Sequence, residues 1–147
     1  MLPMPRYTEI EHTADIGVEV YGPTLEELFI NAGYALFDTI ADADTIETTA
    51  TRTITVEGGD IEKLFMNWLR ELLYLFSVEQ EVYSTFRVHI TEQQDPSSTL
   101  SLEAAIMGEP LDFSKHRFET EIKAITYHQF TVEQHHDEWH ATVIFDV

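Results

Sequence analysis

Apolar residues recur along this chain at two different periods, and the change from one to the other divides it into helices and strands. Leu25, Leu28, Phe29, Ala32 and Leu36 follow the helical spacing and predict a helix from Thr24 to about Thr39 with one apolar face. Thr24-Leu25-Glu26-Glu27 marks its start, because the Thr24 hydroxyl and the Glu27 carboxylate can satisfy main-chain N–H groups that a first turn leaves free. A wider stripe of Ile61, Leu64, Phe65, Trp68, Leu69, Leu72, Leu73 and Phe76 predicts a second helix from Asp60 to Ser77. Its width makes it the main core helix, and Asp60, following Gly58-Gly59, is the expected N-cap.

The rest of the chain alternates at the period of a strand. Tyr7 to Ile10 is a short β segment, and Ile16 to Tyr21 sets Ile16, Val18 and Val20 on one face before Gly22-Pro23 stops it. Thr51 to Glu57 alternates in the same way, with β-branched residues on both faces. Further strands are predicted at Tyr83 to Gln93, Leu100 to Gly108, Glu121 to Glu133 and Trp139 to Val147. Gln94-Asp95-Pro96-Ser97-Ser98 and Gln134-His135-His136-Asp137-Glu138 suit hairpin loops between them. The order β-β-α-β-α followed by a β meander argues for an α+β fold, two helices packed on mostly antiparallel β structure as a layered sandwich. One domain over residues 1–147 is expected, and no internal repeat is evident in the pattern.

Composition adds limits to that picture. At 147 residues and 44% apolar the chain can bury a real core. No apolar run approaches the roughly 20 residues of a membrane span, and Met1 to Arg6 lacks a signal-peptide apolar region, so a cytoplasmic protein is expected. The absence of cysteine excludes disulfides, thiolate zinc sites and a cysteine nucleophile. Charge is the stronger constraint: 27 acidic against 8 basic residues gives a net charge of −19. Direct binding to RNA or DNA is disfavoured, since a phosphate backbone needs a basic stripe. A cation or a basic protein partner fits, as does an acidity that serves solubility alone.

The candidate chemistry lies at the two ends. Val143-Ile144-Phe145-Asp146-Val147 runs an apolar strand into two adjacent anionic groups, the Asp146 side chain and the carboxylate of Val147. A β-rich end without a polar tail is expected to be placed within the fold. Near the other end, Asp15 in Glu11-His12-Thr13-Ala14-Asp15-Ile16-Gly17 opens a strand. Asp15, Asp146 and Val147 together would make an oxygen-rich site favouring a hard divalent cation, calcium foremost, with magnesium or manganese as alternatives. His12 would supply an imidazole or orient a ligand there. The plainer alternative is that Asp15 caps a turn and Asp146 faces water at a sheet edge.

Other residues give weaker signals. His135, His136 and His140 lie close in sequence, but adjacent histidines on an extended segment point to opposite faces, and a solvated hairpin accounts for them better than zinc. His116 and His128 are ambiguous. Lys123 is one of three lysines, placed to contact a phosphate or a partner's carboxylate, or else to pair with Glu119 or Glu121. Lys115 and Arg117 add a local basic patch. Phosphate-cradling glycine loops, a nucleophile elbow and an HExxH helix are all absent, so the motifs supply no catalytic engine.

These segments together resemble the archease family over nearly the whole chain. The resemblance is carried by Glu11-His12-Thr13-Ala14-Asp15-Ile16-Gly17, by Leu25 to Phe29 with Asn31-Ala32, and by Gly58 to Leu73. It continues through Gly108-Glu109, Asp112 and His116 into Glu121 to His128, and closes on Val143 to Val147. It implies a layered α+β sandwich with the helices on one side of the β structure, and an accessory role toward an RtcB-type RNA ligase in tRNA splicing and RNA repair. By that resemblance the protein promotes guanylylation and multiple turnover of the ligase and is not itself an enzyme. It also implies that Asp15, Asp146 and Val147 bind the metal and that Lys123 is needed for activation. The acidic surface would then match the basic, RNA-gripping surface of the ligase in a transient contact. Two other functions stand against this: a chaperone-like acidic binding module that alters a partner's solubility or oligomeric state, and a metal-dependent hydrolase. The second is disfavoured by the lack of a base beside a nucleophile.

Overall fold

A computed structural model describes residues 5–12, 15–92, 99–116, 118 and 120–147. The elements follow the predicted order: β1 (Tyr7–His12), β2 (Asp15–Gly22), α1 (Leu25–Ala41), β3 (Ala50–Gly58), α2 (Ile61–Ser77), β4 (Glu81–Glu92), β5 (Leu100–Pro110), β6 (Ala124–His135) and β7 (Glu138–Asp146). The α+β class holds, but the strands form two sheets rather than one. A four-stranded sheet has the order β1-β2-β7-β6 and a three-stranded sheet the order β3-β5-β4, and every pairing is antiparallel.

The helices do not lie on one side of a single β layer. Helix α1 packs on β4 and β2, and α2 packs on β3 and β6, so each helix joins both sheets. The wide apolar stripes follow from this double contact, because a helix touching two sheets and a neighbouring helix must be apolar over most of its circumference. Leu28, Phe29, Leu36 and Phe37 of α1 are fully buried, as are Leu64, Phe65, Met66 and Trp68 of α2. Phe29 and Phe65 meet edge to face with centroids 5.1 Å apart. The Trp68 indole N–H donates to the Phe29 carbonyl at 2.9 Å, so the largest core side chain is buried with its polar atom satisfied.

The reading that the chain holds no repeat needs correction. The joints β2–α1 and β3–α2 are built alike, from residues that match at one constant offset. Val20, Gly22, Glu26, Leu28, Phe29 and Asn31 of the first correspond to Val56, Gly58, Glu62, Leu64, Phe65 and Asn67 of the second. The N-cap side chains do the same work, Thr24 accepting from the Glu27 N–H and Asp60 from the Lys63 N–H at 3.1 and 2.8 Å. The Asn31 amide donates to the Tyr21 carbonyl at 2.7 Å, and the Asn67 amide to the Glu57 carbonyl at 2.8 Å. Glycine is required at Gly22 and Gly58 because an added Cβ would stand 2.4 Å from the Leu28 nitrogen and 2.5 Å from the Leu64 nitrogen. Each helix is thereby held tight against the strand that precedes it. The repeat escaped the pattern because Ala32 matches Trp68 and Gly33 matches Leu69, substitutions that suit the different neighbours of the two helices.

Strand β6 departs from its predicted course in two ways. It begins at Ala124 rather than Glu121. Its register against β7 then jumps between Thr126, opposite Ile144, and Thr131, opposite Thr142. Tyr127 to Phe130 therefore bulge out against a single partner residue, with Gln129 at φ 55°.

Candidate functional site at the β2–β7 end

Asp15 is the first residue of β2 and Asp146 the last of β7, and the antiparallel register sets them directly opposite each other. Directly opposed residues share a face, with Cβ atoms about 5 Å apart. That face is the outer one, since Val18, Val20, Val143 and Phe145 on the alternate positions are buried in the core. On its other side Asp146 pairs with Ala124, the first residue of β6, and the Lys123 main-chain N–H donates to the Asp146 carbonyl at 2.8 Å. Three segments distant in sequence thus converge on one corner of the four-stranded sheet. Val147 follows β7 directly and is 36% exposed. The backbone of His12 pairs with Asp15 across the β1–β2 hairpin, while its side chain lies outside the described residues.

The donor set consists of two facing carboxylates, hard oxygen ligands suited to calcium, magnesium or manganese. Among the described residues no group of three or more His, Cys, Asp or Glu side chains gathers to hold a metal.

A second polar cluster was not foreseen. Glu109, at the end of β5, is buried, and three donors converge on its carboxylate: the Lys115 ammonium at 2.7 Å, the Glu47 N–H at 2.7 Å and the His116 Nε2 at 2.8 Å. His116 is 2% exposed, and its Nδ1 accepts from the Asp112 N–H at 2.9 Å, so Nε2 carries the hydrogen donated to Glu109. Burial pushes the Glu109 carboxyl up, but these donors outweigh it and hold the group at about 2. Asp112 is in turn held below the usual carboxylate range by the Ser114 hydroxyl and N–H. Lys115 itself is exposed, and its ammonium bridges Glu109 and Glu47 at 2.7 and 3.3 Å. Arg117 and Glu119 lie outside the described residues. The sequence signal for this network was Asp112 and His116 four residues apart after Gly108-Glu109, spacing that closes a polar turn.

Residues 7–147 match the sequence profile of the Archease protein family. The chain belongs to the archease family. It is 41% identical over 142 residues to the archease of Methanosarcina acetivorans, covering 97% of this chain and 96% of the relative. It is 43% identical over 145 residues to that of Pyrococcus furiosus, covering 98% and 100%. The solution structure of protein 1598 from Methanobacterium thermoautotrophicum superposes with a TM-score of 0.86 at 32% identity, over 98% of this chain and all of that one. The crystal structure of a Thermotoga maritima "archease, possible chaperone" shares the fold, with a TM-score of 0.61 at 23% identity over 100% of this chain and 98% of that one.

Within this archease the corner formed by Asp15, Asp146 and Lys123 is therefore the place where the sequence candidates come together. The histidine-rich turn does not join them. His136 and Asp137 form the tight turn between β6 and β7, at the opposite end of β7 from Asp146, and His135 pairs with Glu133 at 2.9 Å. No helix among the described residues is long and apolar enough to cross a membrane.

Proposed function

We propose that this protein activates an RtcB-type RNA ligase in the cytoplasm, promoting its guanylylation and multiple turnover in tRNA splicing and RNA repair. Membership of the archease family supports this reading, and the pairing of Asp15 with Asp146 beside Lys123 carries it. Asp15, Asp146 and the Val147 carboxylate hold a divalent cation, calcium foremost, with magnesium or manganese as alternatives. The cation supplies positive charge where facing carboxylates would otherwise repel. Strand register sets Asp15 and Asp146 opposite each other. Lys123, exposed and fixed by its main-chain bond to Asp146, presents an ammonium beside them to a phosphate or carboxylate of the ligase. The chain acts on the ligase and contributes no reaction of its own. A net charge of −19 draws it to the basic, RNA-gripping face of the ligase and hastens encounter.

The deciding experiment measures guanylylation of the cognate ligase with substoichiometric wild type, Asp15→Ala, Asp146→Ala or Lys123→Ala at fixed manganese. Stimulation by wild type that each substitution removes is the expected result. A folded wild type that does not stimulate would refute the reading. A second reading, a chaperone-like module, draws on the name of the Thermotoga relative. It predicts that the protein lowers the light scattering of an aggregating partner in proportion to its concentration.

A further inference from the structure

We propose that two apolar hollows beside Lys123 form the surface that docks the ligase, a basic protein in contact with an apolar patch. This rests on the activator reading above. The outward side of α2 leaves Tyr74 50% exposed, Val78, just after the helix, is 59% exposed, and the segment after β5 leaves Phe113 68% exposed. Single exposed apolar side chains are ordinary; a connected cluster of aromatic ones marks a binding surface. Phe113 belongs to such a cluster. Phe118 stacks on Phe76 of α2 with centroids 6.0 Å apart, and Phe113 meets Phe118 edge-on at 5.9 Å.

One hollow of about 350 Å³ opens between Phe76, Phe113, Phe118 and Ile122. A second, of about 310 Å³, opens between Tyr74, Val78 and Lys123 to Ile125, and Ser77 borders both. Beyond the second hollow the β6 bulge presents Tyr127, 55% exposed, with the Arg70 guanidinium 5.0 Å from its ring centre. Arg70 also donates to the Ile125 carbonyl at 3.4 Å, which ties the start of β6 to α2. Aromatic side chains with an arginine among them are the composition of interface centres. Lys123 lines the second hollow and is bonded through its main chain to Asp146, so the patch runs up to the corner that carries the two carboxylates.

Charge selects the occupant. A second copy of a chain carrying −19 is repelled, and so is a phosphate backbone. A protein with apolar side chains inside a basic rim satisfies both the patch and the surrounding field. Charge then governs how fast the two meet, and the hollows govern how long they stay together.

The test measures binding kinetics between the purified cognate ligase and the full chain, alongside guanylylation. Wild type is compared with Phe113→Ser, Tyr74→Ser and Val78→Ser, and with Thr55→Ala on the exposed face of β3 as a control; thermal melts verify folding. Because the three patch residues are exposed, their variants should melt as wild type does. Each is expected to bind about tenfold or more weakly, chiefly through faster dissociation, while Thr55→Ala binds normally. Wild-type affinity in all three folded patch variants would overturn the docking surface and leave the activator reading intact, provided wild type still stimulates the ligase. A wild type that neither binds nor stimulates would overturn both. Sedimentation showing a wild-type dimer that Phe113→Ser dissociates would assign the patch to a second copy, and retention of labelled RNA lost in Phe113→Ser would assign it to nucleic acid; either result overturns the proposal.

Discussion

Asp15 and Asp146 are partners across β2 and β7, the first residue of one strand facing the last residue of the other. Two facing carboxylates at a strand end gain from a cation that binds the folded chain and not the unfolded one, so ligand should raise the melting temperature by mass action. Calcium or manganese at about 100 times its dissociation constant is expected to add about 2.7 kcal/mol to wild type and little to Asp15→Asn or Asp146→Asn. Melting curves across a metal titration check this. Appending residues after Val147 should diminish the response in the same experiment, since it removes the terminal carboxylate from the donor set.

Lys123 is tied to Asp146 by its main chain and not by its side chain. Truncation to alanine keeps that bond, and the side chain is exposed. Lys123→Ala should therefore melt within about 0.5 kcal/mol of wild type, the usual range for surface substitutions. Its stimulation of ligase guanylylation should fall at least about tenfold, corresponding to 1.4 kcal/mol of lost interaction. Loss of stability in step with loss of activation would mean that the ammonium serves the fold.

Glu109 makes stability depend on pH in a defined direction. Its carboxyl is held at about 2 against an ordinary 4.5, so the folded state favours the ionised form. The resulting stabilisation is fully present above the ordinary value and is lost as pH falls from there towards 2. Glu109→Gln should cost about 2–3 kcal/mol at neutral pH, because an amide presents a donor where Lys115, Glu47 and His116 all donate. The gap between variant and wild type should narrow as the pH is lowered below 4.5. Urea denaturation at several pH values measures both quantities; a gap that stays constant into acid would contradict the network.

Gly58 and Gly59 are neighbours with opposite expectations. A Cβ on Gly58 would meet the Leu64 main chain at 2.5 Å, whereas one on Gly59 would meet nothing within 4 Å. Gly58→Ala is expected to cost about 3 kcal/mol through overpacking against backbone. Gly59→Ala should be neutral or slightly stabilising by restricting the unfolded chain. Paired denaturation curves decide it.

Most of the elements were legible because periodicity reports burial, and burial here is strong. The stripe from Ile61 to Phe76 and the alternation of Ile16, Val18 and Val20 both survive in the structure. The partition into two sheets was not legible, since β3 to β5 alternate in the same way whichever sheet receives them. Nor was the bulge at Tyr127 to Phe130, where Tyr127 meets Arg70 and Phe130 meets Phe65 of α2. At the candidate site, Asp15 and Asp146 could be named from strand ends alone. Their register could not, because it is set by the whole β2–β7 pairing from Asp15 to Gly22. The Glu109 network lay hidden for a different reason: Glu47, Glu109 and Lys115 belong to separate segments, and only folding shows which carboxylate is buried.

The repeated strand–helix joint gives the molecule an internal reference. Both copies keep the glycine, the leucine-phenylalanine pair and the asparagine that clamp helix to strand. At the strand start they diverge: the position of β3 that matches Asp15 is Thr51, and across the sheet Thr51 faces Met107 rather than a carboxylate. β3 is also an edge strand, whereas β2 runs between β1 and β7. One ancestral module used twice would leave this trace, with architecture retained in both halves and an acid pair present in one. The joint itself therefore does not call for an acid at its strand start, since Thr51 holds that place in the second copy.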